Sequence, residues 1–456
     1  MLGRGDSSYP KESTEGVDQG DRVETNGTRL RLLWSDIHGI ERGKYLYGNW
    51  QERGRANFCL ATFPLTFDRE ILPIEGLAFD VGLPDLEATI EPDSLRNGWE
   101  PNTTVGIGRL GRLGAPLAVD PRHLLEQAVS AWIADGLTPQ IAFEFEFFLL
   151  RPDGDAGWLP LTTPGSRVYG TGTAVDPDGV VAEIVEAAVG SGMDVEAWCT
   201  EFDDSQFEVN IRYRDAVGAA DDAFLFRVLA HEIATSRGHR ATFIGRPFAD
   251  RGGSGLHVNI SLWDGSGTNV LHDPNDPEGL SDIARSCMAG MLAHHEGTAA
   301  ILAPTVNAYK RLLPDMMNGY WSNWGHDDRT VAIRIGPDRG DATRLENRVP
   351  DGACNPYLAA AALLHACRFG VEDAMTMPPP QPIAAQPTGD HVPATLEAAV
   401  EAFGRDERLC QALGSSFVDA FSQLKLAEWK RYTEAVDDPT TPEPTPWELD
   451  YYTPFF

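Results

Sequence analysis

The sequence has little positive charge and few cysteines. Its 456 residues include 37 lysines and arginines against 68 aspartates and glutamates, a net charge of −31. A phosphate backbone would be repelled by such a chain, so we exclude nucleic acid as a partner. The six cysteines contain no C-x-x-C pair, so neither a zinc site nor a disulfide framework is predicted. An acidic chain with only five lysines is the composition that a high-salt cytoplasm favours.

Long apolar runs are also missing. No stretch is long and apolar enough to cross a bilayer, and the first residues lack the apolar core of a signal peptide. We therefore expect a soluble, cytoplasmic protein that has no membrane partner. No G-x-x-x-x-G-K-[ST] motif occurs, which excludes a P-loop enzyme.

The length of the chain exceeds what one compact core accommodates, and we expect two domains. Residues 1–26 are polar and are predicted to form a disordered tail. Residues 27–117 contain short strands and turns, beginning with a hairpin of 29–36 and 44–47, and predict a small antiparallel β domain. Residues 118–456 alternate helices and strands. Predicted helices there span 122–134, 180–191, 223–237, 283–303, 356–369 and 396–435, and predicted strands span 193–198, 207–213 and 257–261.

The motif that organises the chain is Phe143-Glu-Phe-Glu-Phe147. As a strand, it places Glu144 and Glu146 on one face and the phenylalanines on the other. Two carboxylates this close suit neighbouring cations and repel one another without them. The alternative is a solvated strand face, which is the commoner origin of a lone E-x-E.

Further acids, one imidazole and several guanidiniums follow downstream. Each has an ordinary alternative: acids of a hairpin, a hydrogen-bonded core histidine, and surface ion pairs. The candidates are Glu201, Glu208, His257 after Gly252-Gly-Ser-Gly255, Arg329, Arg334, Arg344, Glu346 and Arg348. Together they suit two or three Mg²⁺ or Mn²⁺ ions and a phosphate partner, which is the equipment for phosphoryl transfer to a carboxylate.

In their order, these segments resemble the glutamine synthetase family across roughly residues 28–456. The motifs are Glu144-Phe-Glu146, Glu201 with Gln206-Phe-Glu208, Gly253-Ser-Gly-Leu-His257, Pro304-Thr-Val-Asn307-Ala-Tyr-Lys-Arg311, Arg329 to Arg334, Arg344-Leu-Glu346-Asn-Arg348, and Asn355-Pro-Tyr357. The resemblance implies an α+β protein with an N-terminal β-grasp domain and a larger catalytic α/β domain. It also implies a homo-oligomer, expected to be a dodecamer of two hexameric rings with each active site between neighbouring subunits.

Carried over by position, the resemblance implies a role for each site residue. The metal ligands are Glu146, Glu201 and Glu208 for one ion and Glu144, His257 and Glu346 for a second. The ATP-binding residues are Glu196, Tyr213, Asn259, Ser261, Arg329, Arg334 and Arg344. The substrate-binding residues are Arg311, Arg348, Gly253, His257 and Glu146, and the catalytic residues are Arg329, Arg348 and Glu346. The implied reaction joins glutamate to an amine through γ-glutamyl phosphate at the expense of ATP.

The chain departs from the ammonia-using members at the amine site. Their Asp-Gly-Ser-Ser stretch is replaced by Phe58-Cys-Leu-Ala-Thr-Phe-Pro-Leu-Thr66, and Met317 takes the place of their flap glutamate. In addition, Gly252 replaces an asparagine beside glutamate, and Asp341 replaces a lysine on the phosphate side. Apolar and aromatic residues such as Tyr320 and Trp321 favour an amine with carbon attached.

The flap of this chain, Pro314-Asp-Met-Met317-Asn-Gly-Tyr-Trp321, is similar to that of the γ-glutamylpolyamine synthetase branch. We therefore predict a glutamate–amine ligase, with putrescine or another polyamine as the first candidate. An ammonia-using glutamine synthetase is the alternative, and a non-catalytic structural relative is the third hypothesis.

Overall fold

The computed structural model describes residues 28–154, 157–383 and 385–456. The predicted tail, residues 1–26, lies outside these ranges. The strands are β1 (Arg29–Ser35), β2 (Glu41–Tyr47), β3 (Arg55–Cys59), β4 (Asp85–Ile90), β5 (Arg96–Asn97), β6 (Thr103–Arg112), β7 (Ala115–Pro116), β8 (Leu137–Pro152), β9 (Trp158–Pro160), β10 (Val195–Thr200), β11 (Gln206–Asp215), β12 (Arg240–Thr242), β13 (Leu256–Asp264), β14 (Trp324–His326), β15 (Ile333–Ile335) and β16 (Leu345–Asn347).

The α-helices are α1 (Trp50–Arg53), α2 (Pro121–Ala134), α3 (Val180–Gly190), α4 (Ala216–Ser236), α5 (Asp282–Ala293), α6 (His295–Leu302), α7 (Ala308–Arg311), α8 (Pro356–Glu372), α9 (Leu396–Arg405), α10 (Glu407–Leu413), α11 (Ser415–Ala435) and α12 (Pro446–Tyr452). Short 3₁₀ turns span Leu60–Thr62, Phe79–Val81, Pro92–Ser94 and Gly340–Ala342. Among the described residues, no helix has the length and apolar character needed to cross a membrane.

The first sheet has the strand order β2-β1-β6-β4-β3, with β5 and β7 also paired to β6. The predicted hairpin is confirmed, because β1 and β2 pair antiparallel from Arg29 opposite Tyr47 to Ser35 opposite Glu41. The prediction that the sheet is antiparallel throughout is wrong, because β1 and β6 run parallel. Between them the chain leaves the hairpin, forms β3 to β5, and returns beside β1 in the same direction.

The second sheet has the order β10-β11-β8-β13-β16-β15-β14, with β9 and β12 paired to β8. Strand β8 lies inside this sheet and explains the alternating motif. Phe145 is buried and packs on Phe226 of α4 with ring centroids 4.8 Å apart, and Phe147 packs on Phe243 at 5.1 Å. The apolar face of β8 therefore anchors the core, and its other face carries Glu144 and Glu146.

Most predicted helices are confirmed, with small shifts at their ends. Helix α2 begins after Asp120, whose side chain accepts a hydrogen bond from the Arg122 amide, and α8 begins after Asn355, which caps Tyr357 in the same way. The helix predicted from residue 223 begins earlier, at Ala216, where Asp215 caps the Gly218 amide.

Two predicted long helices are broken. The 283–303 helix divides at His294 into α5 and α6, and the 396–435 helix divides into α9, α10 and α11. Asp406 ends α9, caps the Leu409 amide of α10, and lies 2.6 Å from His294 Nδ1. Gly414, with φ of 83°, separates α10 from α11, because this left-handed conformation cannot continue a helix.

Candidate active site

One face of the second sheet gathers the polar residues that the sequence singled out. In the strand register Glu208 lies opposite Glu146, and His257 lies opposite Glu144. Glu346 lies between Asn259 on one neighbouring strand and Arg334 on the other. Since side chains alternate along a strand, these positions share a face although they span two hundred residues of sequence.

Glu144, His257 and Glu346 form the first acidic group of this face. One ligand atom from each lies within 4.8 Å of the others. His257 Nδ1 is 3.4 Å from Glu144 Oε2 and 3.9 Å from Glu346 Oε1. Burial alone would raise the pKa of Glu144, but His257 and a 2.9 Å hydrogen bond from Asn259 outweigh it and lower that pKa to about 2. Glu144 is therefore held as a carboxylate.

Glu146, Glu201 and Glu208 form the second group, again with ligand atoms within 4.8 Å of one another. Glu201 follows the end of β10, and its neighbour β11 carries Glu208. Burial and the Glu201 side chain raise the pKa of Glu208 to about 8, and burial and Glu146 raise the pKa of Glu201. Three crowded carboxylates need protons or a cation to offset their repulsion.

The donor set of both groups fits a hard divalent cation. Carboxylate oxygens with at most one imidazole nitrogen suit Mg²⁺ or Mn²⁺. Asn210, opposite Glu144 on β11, has a buried side-chain oxygen without a hydrogen-bond partner in the described part of the chain. Such an oxygen is costly to bury alone, so it supports the same interpretation. Sequence reasoning did not identify Asn210.

Arginines surround Glu346. Arg334 donates to Glu346 Oε2 at 2.6 Å, and Arg348 donates to its Oε1 at 2.5 Å. The Nε–H groups of Arg334 and Arg348 are buried and unpartnered among the described residues, so both can donate to an anion. Arg344 Nε donates to Asn259 Oδ1 at 3.2 Å. Arg329 is exposed, and its charge offsets a small part of the rise that burial causes in the pKa of Glu201.

Arg311 lies buried beside the glycine-rich loop. It donates to the carbonyls of Val349 at 2.9 Å and Arg348 at 3.0 Å. A Cβ on Gly253 would lie 2.8 Å from Arg311 Cγ, so the loop and this side chain are in close contact. Gln206 fixes the loop by donating to the Gly253 carbonyl at 2.9 Å.

The predicted nucleotide residues divide into two sets. Asn259 and Ser261 are buried on β13 with the first acidic group, whereas Glu196 is exposed and faces Arg212 at 3.9 Å. Tyr213 is half exposed and stacks on Trp263, with centroids 6.3 Å apart and an 11° angle. Trp263 also donates to Ser261 Oγ at 2.9 Å, and it was not predicted from the sequence. The alternation 257, 259, 261, 263 along β13 could have revealed it.

The loop after Arg311 carries the residues that departed from the ammonia-using pattern. Asn318 donates to the Arg311 carbonyl and so ties this loop to the arginine. Met317 is 60% exposed. Tyr320 stacks on His391 at 4.8 Å, and Trp321 contacts the same ring edge-on at 5.6 Å. His391, which was not predicted from the sequence, lies in the proline-rich segment 375–393 and links that segment to this loop.

Known proteins resemble this chain along most of its length. A family model described as "Glutamine synthetase, catalytic domain" matches residues 118–452. A glutamate–isopropylamine ligase from Pseudomonas sp. is 31% identical over 93% of this chain and 94% of its own length. A glutamine synthetase from Mycolicibacterium smegmatis is 33% identical over 74% of this chain and 77% of its own. A solved structure of GmaS without ligand superposes with a TM-score of 0.79 at 29% identity, covering 94% of this chain and 97% of that one.

These matches agree with the geometry of the two acidic groups and the arginines around them. The chain belongs to the glutamine synthetase family and is a glutamine-synthetase-like ATP-dependent ligase.

Proposed function

We propose that this ligase joins the γ-carboxylate of glutamate to a primary amine, with putrescine or another polyamine as the first candidate. The observation that carries the proposal is the convergence of two acidic groups on one sheet face, with four arginines beside them. Family membership supplies the reaction class, and the residues around the flap supply the preference for an amine over ammonium.

The two acidic groups are the proposed cation sites. Glu146, Glu201 and Glu208 would hold one Mg²⁺ or Mn²⁺ ion, and Glu144, His257 and Glu346 would hold another. Two to three ions are proposed in all. Bound cations neutralise phosphate charge and thereby favour attack by the glutamate carboxylate. Asn259 holds Glu144 through its 2.9 Å hydrogen bond and keeps that carboxylate directed at the site.

The arginines take the negative charge of the substrates. Arg334 and Arg344 are proposed to face the ATP phosphates together with Arg329, whose exposed side chain can close on a bound nucleotide. Arg311 and Arg348 are proposed to hold glutamate, with Gly253 contributing its backbone. Transfer of the terminal phosphoryl group from ATP to the glutamate carboxylate yields γ-glutamyl phosphate and ADP. The neutral amine then attacks the carbonyl carbon, the bond from that carbon to the phosphate oxygen breaks, and the amine nitrogen gives up one proton to the departing phosphate.

The nucleotide base is assigned to the outer end of the same face. Tyr213 and Trp263 present a stacked aromatic pair beside Ser261, and an adenine ring suits such a surface. Glu196 is proposed to lie on the nucleotide side. Asp341, in place of a lysine, removes one positive charge there, and we expect weaker nucleotide binding than in relatives that keep the lysine.

The amine preference follows from what surrounds the flap. Met317 replaces an acid, and the rings of Tyr320 and Trp321 in the same loop contact each other and the ring of His391. Aromatic faces attract a cationic amine that carries apolar carbon. The Pseudomonas relative is named as a ligase for isopropylamine, an amine of that kind. Ammonia remains the second candidate, since glutamine synthetases are among the relatives.

The assembly and domain division are part of the proposal. Strands β1 to β7 all fall before residue 117, and the sheet that carries the site begins at Leu137. We therefore infer an N-terminal β-grasp domain over residues 27–117 and a catalytic domain over residues 118–456. A dodecamer of two hexameric rings is the expected homo-oligomer, and its mass can be measured by light scattering.

The decisive experiment measures phosphate release from ATP with glutamate and Mg²⁺ or Mn²⁺, across a panel of amines. We expect turnover with putrescine, spermidine or another alkylamine to exceed turnover with ammonium, and the product to be a γ-glutamyl amide by mass spectrometry. Best turnover with ammonium would refute the amine assignment. No turnover with any amine, in high salt and either metal, would favour the non-catalytic relative.

Two variants separate catalysis from a contaminating ATPase. Glu144→Gln removes one carboxylate of the first acidic group and should abolish turnover and weaken Mn²⁺ binding measured by calorimetry. Glu87→Gln removes a carboxylate that pairs with Arg55 on the first sheet, and it should change neither quantity. Equal activity of the Glu144 variant and the unmodified enzyme would refute the assignment of this site.

A further inference from the structure

A buried hydrogen-bond network joins residues 441–452 to the chain segment that carries Arg311. We call residues 441–452 the clamp, and the segment 306–311 the Arg311 segment. Glu448 of the clamp is fully buried, and its Oε2 accepts a 2.6 Å hydrogen bond from Asn307 Nδ2. Asn307 is the N-cap of α7, and Arg311, four positions later, is the last residue of that helix.

The second oxygen of Glu448 has a different task. Oε1 accepts from the backbone amide and the hydroxyl of Thr445, both at 3.1 Å, and so completes the cap of α12. It also accepts from the Tyr432 hydroxyl at 3.3 Å. Because Oε1 alone makes the capping hydrogen bonds, the hydrogen bond between Oε2 and Asn307 is not needed to cap α12.

Other contacts join the same two segments. Tyr452 accepts from the Val306 amide at 3.1 Å and donates to Glu428 at 2.5 Å. Lys310 donates to the Thr441 carbonyl, and its ammonium lies 5.4 Å from the centre of the Tyr432 ring. The clamp therefore contacts the Arg311 segment at both ends.

Asn307 also ties the Arg311 segment to Arg246, which precedes the glycine-rich loop of residues 252–255. Its side chain accepts from the Arg246 amide at 2.7 Å and donates to the Arg246 carbonyl at 2.9 Å. An asparagine held from both sides in this way has one orientation, and Glu448 occupies its remaining donor position.

We propose that Glu448 is a positioning residue for the substrate glutamate. By holding the Asn307 side chain, Glu448 sets the position of Arg311, and the position of Arg311 determines the affinity for glutamate. This inference rests on the role proposed above for Arg311. A displacement of about 1 Å in a binding arginine is enough to weaken binding strongly, because its hydrogen bonds depend on geometry.

Glu448→Gln tests the proposal. The oxygen of glutamine can still cap Thr445, but its NH₂ group would then face the NH₂ group of Asn307, so only the hydrogen bond with Asn307 is lost. We expect the KM for glutamate to rise about tenfold while the KM for ATP changes less than twofold. The matched control is Tyr432→Phe, which removes the hydroxyl from Oε1 and leaves the Asn307 contact and the Lys310–ring contact in place; we expect its glutamate KM to stay within twofold.

A second measurement distinguishes positioning from general weakening. If Glu448 acts through Arg311, the effects of Glu448→Gln and Arg311→Lys on the glutamate KM will be less than additive. Equal rises in both KM values, or additive effects, would overturn the proposal.

Failure of the proposed function would be seen separately, as absence of glutamate-dependent turnover in the unmodified enzyme. The clamp would then be judged by hydrogen–deuterium exchange. Residues 306–312 should exchange faster in the Glu448 variant than in the Tyr432 variant, and equal exchange in the two would overturn the clamp as well.

Discussion

Two adjacent glycines, Gly252 and Gly253, precede β13 but face different neighbours. A Cβ on Gly253 would lie 2.7 Å from the Gly245 carbonyl oxygen and 2.8 Å from Arg311 Cγ. A Cβ on Gly252 would meet Asp203 Oδ2 at 3.0 Å, and its next neighbour lies at 3.9 Å. At Gly253, backbone and a buried arginine leave no room for a side chain. At Gly252, the nearest neighbour among the described residues is the partly exposed side chain of Asp203.

This difference predicts unequal effects of one added methyl group. Gly253→Ala should displace Arg311 and raise the glutamate KM about tenfold or more, because fixed backbone cannot move away. Gly252→Ala should change the same KM less than threefold. Steady-state kinetics with glutamate varied at saturating ATP measures both, and similar values for the two variants would contradict the assignment of Arg311 to glutamate.

Individual site residues were predictable where their spacing in the sequence indicates that they share one face of an element. The alternation Phe143 to Phe147 correctly places two glutamates on one strand face, because period-two alternation is a local property. Asn210 was missed for a different reason. Its place beside Glu144 depends on strand register between distant segments, which no local pattern records.

Helices α5 and α8 cross where each carries a glycine. A Cβ on Gly370 would lie 1.9 Å from the Ser286 carbonyl oxygen, and a Cβ on Gly290 would lie 2.1 Å from the Ala366 carbonyl oxygen. The two helices are thus as close as their backbones allow, and any side chain at the crossing would force them apart.

Gly370→Ala should therefore destabilise the protein by about 1–3 kcal/mol through overpacking. Gly404 of α9 offers the matched control, because it is exposed and a Cβ there has no neighbour within 4 Å. Gly404→Ala should stabilise by about 0.5–1 kcal/mol, since alanine loses less backbone entropy in a helix. Thermal unfolding of both variants tests the pair, and a Gly370 variant as stable as the unmodified protein would show that the crossing is not tight.

At the beginning of α6, a buried histidine makes stability depend on pH. His295 Nε2 lies 3.2 Å from the Tyr320 carbonyl, and burial lowers the pKa of His295 to about 4. The unfolded chain binds a proton near pH 6.5, whereas the folded chain does so only near pH 4. The stabilisation from this residue is therefore present above about pH 6.5 and is lost as the pH falls toward 4.

Replacing this histidine should remove its share of the acid sensitivity. Between pH 7 and pH 5, the unmodified protein should lose roughly 2 kcal/mol more free energy of unfolding than His295→Gln. The other buried histidines are present in both proteins and cancel in the comparison. Urea unfolding at the two pH values provides the measurement, and parallel losses in both proteins would show that His295 titrates normally.

At the scale of elements, local signals predicted most helix ends better than the breaks inside the two long helices. Asn355-Pro356 predicts the start of α8 correctly, because a cap and a first-turn proline act within a few residues. The break at His294 could not be predicted, since the residue that accepts from it, Asp406, lies 112 positions away.

At the scale of the whole molecule, the sequence predicted a strand-rich first region and a second region of alternating helices and strands, but not how the strands of the first sheet pair. The parallel pairing of β1 with β6 joins residues 74 positions apart, and a hairpin pattern contains no information about it. The excess of acidic residues, in contrast, is visible without any structure. It gives the chain a formal net charge of −31 at pH 7.

That charge predicts how the protein responds to salt. Like charges repel more strongly when the chain is compact, and raising KCl from 0.1 M to 1 M shortens the screening length from about 10 Å to about 3 Å. The melting temperature should therefore rise across this range, and choline chloride should raise it similarly, because screening does not depend on a bound cation. A rise with KCl alone would instead indicate specific potassium binding. A melting temperature that stays level or falls in both salts would mean that surface ion pairs outweigh the self-repulsion, and the interpretation of the acidic composition as salt adaptation would be wrong.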